Sequence, residues 1–267
     1  MQVIGATDDA AAVSTDDNRA KLALQSAFAT LSEAASELPV WIVFLGHGTF
    51  DGREAKFNLI GEDLSESELA NWLAAVERPT AVLQCASGSG AFLPALSAPG
   101  RVVITATKSG QELNFSRFGG YLAAAIVDPE ADIDKDGQVS LLEAFLRAAR
   151  QIAEFYSGEN RLATEHALLD DNGDGRGTRS EAYVGVRPIR QPDSGVTLDG
   201  YRAHQWTLVP SVIERDFPPE LRRQRDALEQ ELAHLRERKT TLNEDDYFAR
   251  LETLLVELAR LYEAAQP

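Results

Sequence analysis

Two short apolar runs, WIVFLGHGTFDG at residues 41–52 and TAVLQCASGSGAF at residues 80–92, each stop at a reactive side chain followed by glycine. The first ends at His47 and the second at Cys85, the only cysteine of the chain. Brought to one point, a thiol and an imidazole suit nucleophilic acyl transfer. A free thiol of pKa ~8.5 is only a few per cent ionised near neutrality, and a nearby imidazole corrects that. Taken alone, a single cysteine is more often a core residue, and a single histidine a surface or satisfied core residue. The glycines argue against that plainer reading. Gly46 and Gly48 let a carbonyl approach the backbone beside His47, and ASGSG after Cys85 can leave N–H groups free for an oxyanion.

Other chemistries fit less well. A cysteine phosphatase needs an arginine six residues after the thiol, where Ala91 stands. Neither a phosphate loop ending in Gly-Lys-Ser/Thr nor a Gly-x-Ser-x-Gly elbow occurs. A zinc site would want more cysteines or clustered histidines, whereas His166, His204 and His234 are scattered.

A second kind of site is written in two acidic stretches. DIDKDGQVSLLE places Asp132, Asp134 and Asp136 at positions 1, 3 and 5 of an EF-hand loop, with Gly137 at the sharp turn. Gln138 offers its carbonyl at position 7, Ser140 stands at 9, and Glu143 is the bidentate ligand at 12. The following LLEAFLRAARQIAEFY reads as the exiting helix. DDNGDGRGTRSE repeats the pattern with Asp170, Asn172, Asp174, Arg176, Thr178 and Glu181, but Gly177 replaces the usual aliphatic residue and no helix follows. Calcium is the expected ion; for the second stretch, an Asp/Asn/Gly-rich turn is a competing reading.

The elements that must position these residues follow from periodicity. Leu24, Phe28, Leu31 and Ala35 mark an amphipathic helix ending before Pro39. VWIVFL is expected to be a fully buried strand, with AVLQC and RVVITAT as two more. Ser65 and Glu68 stand in capping-box spacing ahead of a helix with Leu69, Trp72, Leu73 and Val76 on one face. SRFGGYLAAAIVD reads as another helix. Buried strands alternating with helices predict an α/β fold with a mainly parallel sheet covered on both faces. Ligands bind beyond the carboxyl ends of such strands, where both His47 and Cys85 lie.

The chain of 267 residues carries 26 basic and 42 acidic side chains, a net charge of −16. That acidity argues against nucleic acid and anionic lipid and favours cations. No run approaches the ~20 apolar residues of a membrane span. The opening MQVIGATDDAAAV lacks the features of a signal peptide, and it begins almost inside a strand-like QVIGA. The chain is therefore read as a possible piece of a longer protein, with its compartment open. Residues 1–190 are expected to form the main domain and 191–217 an irregular linker, with HQWTLV as one more strand. Residues 218–267 are expected to form a helical hairpin: Leu221, Leu228, Leu235 and Leu242, then Tyr247, Leu251, Leu254, Leu258 and Leu261, trace a coiled-coil-like seam after an N-cap at Asn243. That hairpin either packs on the chain itself or recruits a partner or second copy.

The strand ending in GHG, the GEDL at 61–64, the CASGS at 85–89 and the region VVITATKSGQELNFSRFGGYLAAAI together resemble the caspase-like cysteine peptidases, and most nearly the legumain family and its bacterial relatives. The likeness covers about residues 40–126. It implies a caspase-like αβα sandwich and peptide or protein substrates. Cys85 is then the nucleophile, His47 the imidazole that protonates the leaving amine, and the N–H groups of Gly48 and Cys85 the oxyanion hole. In this clan the two side chains need not touch. The resemblance also implies a primary specificity pocket. Glu112 and Arg117 are candidates for its rim by their place after the third strand, with solvated loop charges as the plainer reading. The rival expectation is an inactive calcium-binding scaffold of the same fold, using the hairpin to hold a partner.

Overall fold

A computed structural model describes residues 2, 4, 18–34, 36, 38–189 and 198–265. Residues 3, 5 and 6 of the strand-like opening, Ala35 of the first helical face and residues 190–197 of the irregular stretch lie outside the described residues.

Helix α1 (Arg19–Glu33) turns Phe28 inward, where its ring lies 5.6 Å from that of Trp72. Strand β1 (Val40–Phe44) follows. The chain then folds into a small antiparallel sheet of β2 (Gly48–Phe50), β3 (Ala55–Phe57) and β4 (Leu64–Ser65). The β2–β3 turn is set by the Asp51 carboxylate, which accepts the N–H groups of Arg53 and Glu54 at 2.8 and 2.9 Å. Helix α2 (Glu66–Ala74) starts on the anticipated capping box, Ser65 and Glu68 exchanging side-chain and backbone bonds. Strand β5 (Thr80–Gln84), the short α3 (Leu93–Leu96), strand β6 (Arg101–Thr105), α4 (Phe118–Ile126) and α5 (Leu141–Gly158) complete the alternation. Strand β7 (Leu168–Asp170) is followed by the tight pair β8 (Tyr183–Val184) and β9 (Arg187–Pro188). Four helices end the chain: α6 (Tyr201–Gln205), α7 (Val212–Asp216), α8 (Pro219–Glu237) and α9 (Glu244–Ala264).

The main sheet runs β1-β5-β6-β7, its first three strands parallel and β7 antiparallel to β6. Alternate residues of β5 feed two cores. Ala81, Leu83 and Cys85 face α4 and α5 with Phe118, Leu122 and Phe145, whereas Val82 and Ala86 face Phe28, Leu69, Leu73 and Phe92. The fold is thus α/β, a mixed, mainly parallel sheet with helices on both faces. No helix among the described residues is long and apolar enough to cross a membrane.

Two expectations need correction. β1 is an edge strand among the described residues, so Val43 is 49% exposed and the stretch is not fully buried. HQWTLV is not a strand: His204 and Gln205 close α6, and only Thr207 makes a one-residue bridge, to Ser140. Tertiary contacts override local preference here. The Asp171 carboxylate accepts the N–H groups of Gly200 and Ala203, both at 2.8 Å, and so nucleates a helical turn.

Candidate functional site

β1 and β5 end in step, Phe44 opposite Gln84, so the chain leaves both strands at one level. The two exits are then stitched together. The Cys85 N–H donates to the Phe44 carbonyl at 2.9 Å. The Gly48 N–H donates to the Ser87 hydroxyl at 3.1 Å, and that hydroxyl donates back to the Gly48 carbonyl at 3.1 Å. A Cβ on Gly48 would stand 2.4 Å from the Ser87 carbonyl, which explains why glycine must follow His47. His47 and Cys85 therefore share one rim.

Their environments differ. His47 is exposed, and its ring meets the edge of Phe115 with centroids 5.9 Å apart. Cys85 turns under α4 and is 4% exposed. Gly119, in the first turn of α4, lies so close that a Cβ there would stand 2.9 Å from the Cys85 Cβ and 3.5 Å from its Sγ. Burial pushes the Cys85 thiol up to about 12. In this arrangement the thiol is protonated near neutrality, and the N–H groups of Gly48 and Cys85 are both engaged. Alkylation of the folded protein by iodoacetamide is expected to keep accelerating between about pH 8 and 10, where an ordinary thiol levels off near its pKa of ~8.5. A plateau near the ordinary value would show that the thiol is not covered.

The segment between β6 and α4 closes over this rim. Glu112 is committed to bracing it. One carboxylate oxygen accepts the N–H groups of Lys108 at 2.9 Å and His166 at 3.1 Å, and the other lies 2.5 Å from His166 Nδ1. Its main-chain carbonyl accepts the Gly88 N–H at 2.8 Å. With its side chain 11% exposed, Glu112 is engaged in structure rather than standing open as a pocket acid. Arg117 is exposed, its guanidinium 4.4 Å from the Phe155 ring centroid and 5.8 Å from that of Phe115. Of the two rim candidates, Arg117 alone remains open to a substrate.

Sequence reasoning missed the residue that holds α4 in place. Glu165 is 2% exposed, and one of its oxygens accepts the Ser116 hydroxyl at 2.9 Å and the N–H groups of Arg117 and Phe118 at 2.8 and 3.1 Å. Its other oxygen accepts the Tyr156 hydroxyl at 3.2 Å. Because β7 runs antiparallel to β6, the residues just before it return to the rim where the parallel strands end.

The first acidic loop brings three of its carboxylates together. Ligand oxygens of Asp132, Asp134 and Asp136 lie within 4.8 Å of one another, the only such group among the described residues. Lys135 and Gly137 take positive φ, and their N–H groups donate to Asp132 at 2.7 and 3.1 Å. Glu143 closes the loop from α5, accepting the Ile133 N–H at 2.7 Å. Its other oxygen pairs with Ser140 in a capping box, so the Ser140 side chain serves the helix start. Gln138 bonds Asp136, and Asp134 bonds His204 Nε2 at 2.9 Å. Burial, with the charges of Asp134 and Glu143, pushes the Asp136 carboxyl up. Converging, mutually repelling carboxylates fit a hard divalent cation, and calcium suits an all-oxygen set.

The second loop forms its turn but not the rest of the EF-hand set. Asn172 accepts the Asp174 N–H at 2.8 Å and Asp174 the Arg176 N–H at 2.7 Å. The Thr178 hydroxyl, however, donates to Asp199 at 2.6 Å. Glu181 is exposed on a single 3-10 turn, and it does not join Asp170 and Asp174 as a close carboxylate group. No family model, curated protein or solved structure matches this chain.

Proposed function

We propose that the chain is a cysteine endopeptidase of the caspase and legumain type. The observation that carries this reading is the in-step exit of β1 and β5, tied by the reciprocal Ser87–Gly48 bonds, which sets a histidine and the sole cysteine on one rim. Once uncovered, the Cys85 thiol passes its proton to His47, and the resulting thiolate attacks a scissile carbonyl and forms an S–C bond. His47 delivers a proton to the leaving nitrogen as the C–N bond breaks, and water then hydrolyses the thioester. The Gly48 N–H, freed when the Ser87 hydroxyl turns away, stabilises the oxyanion, while the Cys85 N–H stays bonded to the Phe44 carbonyl. Arg117 lies on the substrate side of the rim.

The covered thiol makes this conformation latent. Productive binding has to lift Phe115 and the first turn of α4 from His47 and Cys85. Calcium held by Asp132, Asp134, Asp136 and Glu143 would neutralise the loop that leads into α5, the helix on which α4 packs. A second reading, an inactive scaffold whose α8 and α9 form a partner-binding hairpin, is favoured by the burial of Cys85 alone.

A positional-scanning fluorogenic peptide library, read with calcium and with EGTA for wild type and Cys85→Ala, tests the proposal. Cleavage by wild type only is expected, with a defined residue before the scissile bond. Silence in every well from folded, calcium-loaded protein would favour the scaffold.

A further inference from the structure

Three large apolar side chains stand open around His47 and Cys85. Leu45 is 66% exposed, and its Cδ2 would lie 2.8 Å from a Cβ on Gly119, the residue that covers the thiol. Leu113 is 49% exposed, and its Cδ2 would lie 3.3 Å from a Cβ on Gly88, just past Cys85. Phe115 is 62% exposed and meets the His47 ring edge-on. Apolar side chains exposed together, rather than scattered singly, mark a binding surface.

Arg117 borders this patch. Its guanidinium lies over both Phe155 and Phe115, and it is the only arginine among the described residues stacked on two rings. Stacking fixes the plane of the group and leaves its N–H edge to a partner. The chain holds 42 acidic side chains, yet among the described residues none pairs with this guanidinium. Glu165 takes only the main-chain N–H of Arg117, and Glu112 is spent on Lys108 and His166. The cation is held in place and left unneutralised.

We propose that Arg117 recognises an acidic side chain of a peptide, whose bulky apolar neighbour packs on Leu45, Leu113 and Phe115. This assignment rests on the peptidase reading of the rim and names the substrate class that the rim takes. A guanidinium pairs with a carboxylate through two parallel N–H···O bonds, which a carboxamide or an ammonium on the peptide does not reproduce. Recognition and opening are one event, because Phe115 touches both His47 and Arg117. A peptide that engages the guanidinium and the apolar patch also engages the ring that has to leave His47. A peptide without the carboxylate leaves that ring where it is.

The experiment uses three fluorescein-labelled peptides, identical except for Asp, Asn or Lys between two leucines. They are titrated by fluorescence anisotropy onto the full chain carrying Cys85→Ala, which leaves them intact. The Asp peptide is expected to bind at least about tenfold more tightly than the other two, as a charge-assisted bidentate pair provides. Adding Arg117→Ala is expected to level the three, and Arg117→Lys to restore only part of the preference. The Arg117 side chain is exposed and its main-chain bond to Glu165 survives both changes, so circular dichroism should be unaltered. Equal binding of the three peptides, binding of none, or an Asp preference that outlasts Arg117→Ala would each overturn the assignment. Cleavage of the same peptides by wild type is scored separately. Asp-selective binding without cleavage would count against the peptidase reading and leave the acidic-peptide site standing, whereas cleavage without Asp preference would do the reverse.

Discussion

Glu165→Ala is expected to lower stability by roughly 3–4 kcal/mol, the largest effect of any single substitution considered for this fold. The carboxylate is buried, and its removal takes the acceptor from the Ser116 hydroxyl and the Arg117 N–H and leaves the Phe118 N–H and the Tyr156 hydroxyl only their second partners, Ser116 and Thr164. It also removes a negative charge from the N-terminus of α4, where the helix dipole favours one. For a chain of this size the loss corresponds to a fall of about 10 °C in Tm. Glu165→Gln keeps one carbonyl oxygen to accept the backbone bonds and should recover part of the loss. Thermal unfolding of the three proteins decides it. An unchanged midpoint in the alanine variant would mean that α4 holds its place by apolar packing alone. Because Gly119 covers Cys85 from the first turn of this helix, the alanine variant should also alkylate faster at Cys85 than wild type does.

The second large effect is on turnover. Cys85→Ala is expected to lower kcat/KM by roughly 10⁴-fold or more, and His47→Ala by about 10³-fold, within the ranges known for nucleophiles and general acids. Both proteins should keep the wild-type fold. Alanine fits wherever the smaller part of Cys85 already fits, and His47 is exposed. Steady-state kinetics on the best library peptide, with circular dichroism as the folding control, is the measurement. Undiminished turnover by the Cys85→Ala protein would assign the cleavage to another nucleophile or to a contaminant.

The parts of this site that follow from local pattern were legible in the sequence, and the parts that follow from tertiary approach were not. Apolar runs ending at His47 and Cys85 predict a common rim because parallel strands end together, and β1 and β5 do. The capping box of α2 and the convergence of Asp132, Asp134 and Asp136 follow from spacing alone. By contrast, β7 has three residues, too few for a periodic signal, and becomes a strand only by pairing with β6. Glu165 could not be singled out, since its role depends on that pairing. The small sheet of β2, β3 and β4 went unread, although Asp51-Gly52 between Phe50 and Ala55 is a turn signal of the kind that joins short strands. The cover over Cys85 rests on the close approach of Gly119, which no window of sequence contains.

The antiparallel return of β7 also bears on the order in which the molecule assembles. β1 and β5 pair across residues 45–79 and β5 and β6 across 85–100, but β7 joins β6 only after the chain has closed the longer loop 106–167, containing α4, the first acidic stretch and α5. Closing a long loop costs entropy before any contact returns it, so such pairings form slowly. Glu165 and His166 reach the rim only with that step. During refolding, then, the two reactive side chains should meet on the sheet while the thiol is still open to solvent, and the lid should arrive last.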